Sequence, residues 1–125
     1  MIFKTRTSRR TMEIFEEIGA SEQLPPYYLA KFAISLSIKN DMPLMEKDFH
    51  KDNNGLELNR QTITGEFDTM YKCLIELKEN RNLTDDEYFP LYIKAHLDRG
   101  AKLLYTEFKY GRDLLIQLLN LNHNI

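Results

Sequence analysis

From Tyr28 to Ile38 the chain is apolar nearly all round, broken only by Lys31, Ser35 and Ser37. A helix of that kind cannot lie on a surface with one face in water. It must be covered on several sides, in a core or in an interface between subunits. Pro25-Pro26 stands in front of it, and proline fits the first helical turn, where its missing N–H costs nothing. Asn40 and the coming Pro43 end it. A chain of 125 residues is the length of one domain. A helix needing neighbours all round therefore predicts one helical core built about it.

The remaining elements are read outwards from that helix. Met1 to Thr7 has weak period-two character, with Phe3, Thr5 and Thr7 on one side and Ile2, Lys4 and Arg6 on the other. This predicts a short strand, which needs a partner within the fold or from a second subunit. Ser8 caps a first helix with a stripe of Met12, Ile14, Phe15 and Ile18, and Gly19 is its expected stop. Residues 41–61 read as a polar connecting loop with Asn53-Asn54-Gly55 as its turn. Thr64 is the expected cap of a third helix, buried through Phe67, Met70, Tyr71, Leu74 and Leu77, with Cys73 packing beside that stripe. Thr84 to Glu87 has the form of a capping box. Pro90 cannot sit in an undisturbed helix interior, so a short turn at 84–89 and a long helix from Pro90 are expected. Ile93, Leu97, Ala101, Leu104 and Phe108 form its stripe, and Leu114, Leu115, Leu118 and Leu121 a last amphipathic segment. The fold class is mainly α: a compact helical domain of five or six helices with one short N-terminal strand. It is organised as a strand-helix-helix unit (1–40), the loop (41–61) and C-terminal helices (62–125).

Net charge is −2, so the chain as a whole is not a polycation. The charge is segmented, however. Lys4, Arg6, Arg9 and Arg10 fall within the first twelve residues with no acid among them. Glu13, Glu16, Glu17 and Glu22 follow within the next ten with no base. A nucleic-acid face, which depends on local charge, belongs near the N-terminus. One cysteine makes no internal disulfide, and no apolar run reaches membrane-helix length. The expectation is a cytoplasmic protein that does not enter a membrane.

Catalytic motifs are missing from the pattern. His50, His96 and His123 are scattered, without metal-ligand spacing, and no glycine-rich phosphate loop or nucleophile elbow is present. Asp85, Asp86 and Glu87 are explained by capping before metal binding. His96 and Arg99 lie one turn apart on the long helix, most simply as a packing histidine and a solvated arginine. No catalytic residue, metal site or cofactor is expected.

Two resemblances follow from these residues. Phe3-Lys4-Thr5-Arg6-Thr7, the helix from Ser8 to Gly19 and the helix from Pro25 to Asn40 are similar to a ribbon-helix-helix unit, in which strands pair across a dimer. A second likeness spans roughly residues 3 to 104. Leu29-Ala30-Lys31-Phe32-Ala33-Ile34-Ser35-Leu36, the stretch Gly55 to Asp68 and Ala95-His96-Leu97-Asp98-Arg99-Gly100 with Leu103-Leu104 together resemble the DndE family of DNA sulfur-modification proteins.

That resemblance implies a helical, homo-oligomeric protein binding duplex DNA, with preference for nicked duplex. It would act in phosphorothioation beside a cysteine desulfurase, an ATP-using sulfur-transfer enzyme and an ATPase, which install the sulfur. Where the family's first helix carries lysines and arginines, this one carries Glu13, Glu16 and Glu17. The expected DNA-binding residues are therefore Lys4, Arg6, Arg9, Arg10 and Lys31. A ribbon-helix-helix transcription regulator, a DNA-nicking enzyme using Asp85, Asp86 or His96, and a purely protein-binding assembly subunit stand as the alternatives.

Overall fold

Pro26 opens the helix around which the others pack. In the computed structural model, which describes residues 2–49 and 51–110, α2 runs from Pro26 to Lys39. Leu29, Ala30, Ala33 and Ile34 on it are wholly buried. They meet α6 (Lys94–Tyr110), whose inner face carries Leu97, Ala101 and Leu104. At Gly100 the two backbones approach so closely that a Cβ would overlap the Ala33 carbonyl. α1 (Arg9–Glu22) covers a further side with Ile14, Phe15 and Ile18. Burial of side chains this size is worth about 1.5–3 kcal/mol each. The protein is mainly α, with one two-stranded sheet among the described residues.

Ser8 caps α1 as expected, its Oγ accepting from the Thr11 N–H. The helix does not stop at Gly19, however. It continues to Glu22 and ends on Gln23, which takes the left-handed conformation at φ 56°. Gly19 serves a different need: a Cβ there would stand 2.9 Å from the Leu24 carbonyl oxygen, where the chain turns back towards α2.

The strand β1 (Lys4–Arg6) finds its partner within the chain. Residues 41–61, read as loop, contain a 3-10 turn (Glu46–Asp48) and a second strand β2 (Glu57–Asn59). The pairing is antiparallel, with Thr5 opposite Leu58. A ribbon-helix-helix strand pairs across two subunits; here one edge of β1 is already taken by β2. Gly55 lies where the loop passes so close to Thr7 and Ser8 that any side chain would overlap their backbone.

After β2 come the single turn α3 (Arg60–Ile63), a 3-10 turn (Gly65–Phe67) and α4 (Asp68–Glu79). Thr64 does not cap α4. Its hydroxyl donates to Asp68 Oδ1 at 2.6 Å and lies 3.1 Å from the Arg60 carbonyl. The stripe expected to be core is mostly outside. Phe67, Met70, Leu74 and Leu77 are exposed, Tyr71 is half-buried, and Ile75 is the wholly buried residue of α4. Cys73 is exposed too. Leu77 is 79% exposed, so Leu77→Ala should shift stability by no more than about 0.5 kcal/mol, read as the urea midpoint. A buried leucine would lose several times that.

Thr84 and Glu87 form the expected capping box around the single turn α5 (Asp85–Glu87). Pro90 then falls inside a π-helical segment (Tyr88–Ile93) that runs straight into α6. The wider turn accommodates the residue that lacks an N–H, so the helical path is not interrupted at 89. The segment also buries Tyr88, Phe89 and Ile93. The leucines at 114, 115, 118 and 121 lie outside the described residues.

Candidate nucleic-acid interface

The basic arm is not a frayed terminus. Both its ends are clamped. At the joint between β1 and α1, Asp98 of α6 accepts hydrogen bonds from the Ser8 N–H (3.1 Å) and the Thr11 hydroxyl (2.6 Å). Its other oxygen takes the Lys94 ammonium at 2.7 Å. Asp98 is 1% and Lys94 7% exposed at the side chain, so this is a buried, fully used ion pair. Lys94 also donates to the Asp52 carbonyl, while the Asp52 carboxylate accepts from the Arg9 N–H.

The other clamp is Arg60, 9% exposed at its side chain. Its guanidinium bonds both oxygens of Asp68 at 3.1 and 2.7 Å, lies 2.9 Å from Asp85, and donates to the Ile2 carbonyl at 2.8 Å. The Ile2 N–H in turn donates to Asp85. Burial pushes the Asp68 carboxyl up, but hydrogen bonds from Arg60, Thr64 and Tyr88 outweigh it and hold the group below its ordinary range. The hydrogen bond from Arg60 likewise lowers Asp85.

A carboxylate with a depressed folded pKa stabilises the fold above its unfolded pKa, and that contribution disappears as pH falls through the folded value. Arg60→Met should cost about 2 kcal/mol at neutral pH, below the range for a fully buried pair because Asp68 and Asp85 keep some contact with water. The gap between variant and wild type, measured by urea unfolding, should be constant above about pH 5 and close at lower pH.

Between the clamps, the expected DNA-binding side chains face solvent. Lys4 lies 3.9 Å from Glu57, and Arg9 and Arg10 lie 3.6 and 3.7 Å from Glu13. All three are more than half exposed at the side chain, so these pairs are weak and cheap to exchange for a phosphate. Arg10 also sits over the Tyr105 ring, 4.9 Å from its centroid.

The structure brings Lys4 and Arg6 together in one cleft. Lys31, on α2, stands apart with its ammonium 6.0 Å from the Tyr27 ring centroid and does not line that cleft. Two further lysines do line it: Lys51 from the loop and Lys94 from α6. Neither had a local signal, since only the tertiary fold carries them to β1.

His96 is wholly buried, out of reach of a substrate phosphate. Its Nδ1 lies 2.8 Å from the Ser37 hydroxyl, and its Nε2 lies 3.4 Å from Glu79 without hydrogen-bond geometry. Burial and the neighbouring charges of Arg99 and Lys78 push the imidazole down to about 3, so it is neutral. Arg99 is not a solvated arginine. It donates to the Ser37 hydroxyl and carbonyl and to the carbonyls of Met42 and Pro43, fastening the end of α2 to the loop. Asp85 is engaged with Arg60, and no group of three or more metal-ligating side chains gathers among the described residues. No described helix is long and apolar enough to cross a membrane.

Among solved structures, the fold is similar to that of DndE from Escherichia coli B7A, described as involved in DNA phosphorothioation modification. That match has 18% identity and a TM-score of 0.65, and covers 83% of this chain and 98% of the other. A glycine-to-lysine DndE variant, described as involved in DNA phosphorothioation, matches at 19% identity and TM-score 0.60, over 82% and 97% of the two chains. No curated protein sequence matches. The family model described as DNA sulphur modification protein DndE matches residues 4–111, nearly the whole described chain from β1 through α6. The chain therefore belongs to the DndE family of DNA sulphur modification proteins.

Proposed function

We propose that the protein is a DNA-binding component of the phosphorothioation machinery, without a catalytic step of its own. It holds duplex DNA, with preference for nicked duplex, on the arm formed by Lys4, Arg6, Arg9 and Arg10, with Lys31 as an outlying contact. Its companions are further copies of itself and the sulfur-transfer proteins of the pathway.

The observation that carries this reading is a clamped arm with exposed cations. Arg9 and Arg10 occupy the first turn of α1, which contains no acid. Cations at the positive end of a helix dipole oppose helix stability by about 0.3–1 kcal/mol each. A local conflict of that kind is expected where a surface serves a ligand. Here it adds the dipole's attraction for phosphate to that of the arginines.

Phosphate neutralisation releases counterions, so binding weakens with salt in proportion to the contacts made. Four or five contacts predict a slope of log affinity against log salt near −4, as roughly −0.9 per contact. Arg6, Arg9 and Arg10 changed together to alanine should reduce that slope by about 2 to 3 and weaken nicked-duplex binding roughly tenfold or more. Fluorescence anisotropy at several salt concentrations measures both. An unchanged slope in the triple variant would remove the arm as the DNA face.

A further inference from the structure

Between β1 and the π-helical segment lies a cleft of about 520 Å³. Lys4, Arg6 and Lys51 line it together with one acid, Glu57, the largely buried Lys94 also borders it, and Pro90 and Leu91 supply an apolar wall. The charges are not equally available. Lys94 is satisfied by Asp98, and Lys4 is shared with Glu57. Arg6 makes one long bond, 3.5 Å to the Gly55 carbonyl, and Lys51 has no ion pair among the described residues. Arg6 and Lys51 therefore leave the cleft with net positive charge.

The backbone adds to this. The bonds from the Arg60 N–H to the Phe3 carbonyl and from the Thr7 N–H to the Leu56 carbonyl set the register. In an antiparallel pair the bonded residues alternate, so Phe3, Thr5 and Thr7 turn their backbone groups to β2, while Lys4 and Arg6 turn theirs to the opposite edge. The open edge therefore offers the Lys4 and Arg6 N–H groups, alternating with their carbonyls, as donors to an anion. Beside the cleft, a hollow of about 250 Å³ shares Lys51, Pro90, Leu91 and Lys94 with it and adds the Phe49 ring. Leu91 is 51% and Phe49 37% exposed, so both offer apolar surface next to the cationic cleft.

We propose that this cleft holds one phosphorylated nucleoside unit, its phosphate against Arg6, Lys51 and the β1 edge, its base on the shelf of Leu91, Pro90 and Phe49. The inference rests on the reading of the arm as a nucleic-acid surface and narrows it to an unstacked nucleotide. The shared chemistry is a nucleoside monophosphate, whether free or as one member of a strand. Cations for the phosphate and an apolar shelf for the base are the combination that single strands use. A fully stacked duplex offers phosphates but no base face for the shelf.

The full chain should be titrated with deoxyadenosine monophosphate, deoxyadenosine, inorganic phosphate, a short single-stranded oligonucleotide and an acidic extended peptide, by calorimetry. Lys51→Ala and Leu91→Ser serve as variants. Both side chains are exposed and outside the arm, and unchanged melting curves check that the variants fold. The monophosphate should bind roughly tenfold or more tightly than the nucleoside or phosphate alone, and each variant should weaken it by about fivefold. Binding of the oligonucleotide but not the free monophosphate, weakened by Leu91→Ser, would identify the unit as part of a strand. If neither binds while nicked duplex still does, the cleft assignment falls and the DNA reading stands. Inorganic phosphate binding as well as the monophosphate would overturn the shelf and with it the proposal. A peptide that binds more tightly than the nucleotides would reassign the edge to strand addition. Loss of all nucleic-acid binding, duplex included, would defeat both readings.

Discussion

Gly100→Ala should destabilise the protein by about 3 kcal/mol or more, although helix propensity alone predicts the opposite sign. Alanine in a helix interior is favoured over glycine by about 0.8–1 kcal/mol. Gly100 lies inside α6 and is not among the residues of positive φ, so no backbone strain opposes the exchange. What opposes it is α2. The new Cβ would overlap the carbonyl oxygen, carbonyl carbon and Cα of Ala33. None of these atoms can move aside by a rotamer change, so the two helices must separate. Every buried residue along their contact, from Leu29 and Ile34 to Leu97 and Leu104, loses packing when they do. Urea unfolding reads the loss. A second substitution, Ala33→Gly, distinguishes the cause. If the clash were with the Ala33 methyl group, removing that methyl would relieve it. Because the clash is with backbone, the double variant should be no more stable than Gly100→Ala alone.

That contact was legible in the sequence from one side only. The run from Tyr28 to Ile38 demanded cover, and α2 is buried through Leu29, Ala30, Ala33 and Ile34. The stripe of Ile93, Leu97, Ala101 and Leu104 gave a second apolar face, and only the fold lays it on α2. Ser8 and Thr84 were readable because a cap is a local event, complete within four residues.

The misreadings share a cause. β2 is three residues long with Leu58 as its one apolar residue, too little for a period of two to register. Gly19 can stop a helix or admit a close neighbour, and the neighbour, the Leu24 carbonyl, comes from the turn beyond. Phe67, Met70, Leu74 and Leu77 have helical spacing, but spacing reports a face and not its partner. Ile75 and Tyr71 take the inward direction instead. Pro90 reads as the start of a helix because an α-helical interior would exclude it, and a π turn does not.

The candidate site divides the same way. Lys4, Arg6, Arg9 and Arg10 are consecutive enough to be seen as a run. Lys51 joins Lys4 and Arg6 across more than forty positions, and the clamps at Asp98 and Arg60 span still more. Such pairings exist only after the core has placed α6 beside α1 and β2 beside β1.

Asp98→Ala should cost about 3–5 kcal/mol, because it strands a buried ammonium. Lys94 would keep only the Asp52 carbonyl, and the Ser8 N–H and Thr11 hydroxyl would lose their shared acceptor. The pairing term can be separated from the hydrogen bonds. Asparagine at 98 retains an oxygen for Ser8 and Thr11 but no charge for Lys94, and methionine at 94 removes the charge while keeping much of the volume. Asp98→Asn and Lys94→Met should each be destabilising alone. Together they should cost less than their sum, with a coupling of about 0.5–3 kcal/mol. The pair also ties structure to the proposed function, since Asp98 holds the joint from which both β1 and α1 depart. The double variant of Asp98→Asn with Lys94→Met, measured while fully folded, should therefore keep the salt slope of nicked-duplex binding, because every arm cation remains in place. Asp98→Ala should lower affinity even at temperatures where its core is intact, through a loosened joint that no longer presents Arg6, Arg9 and Arg10 together. Equal affinities in the two variants would mean that the arm binds DNA without needing to be held.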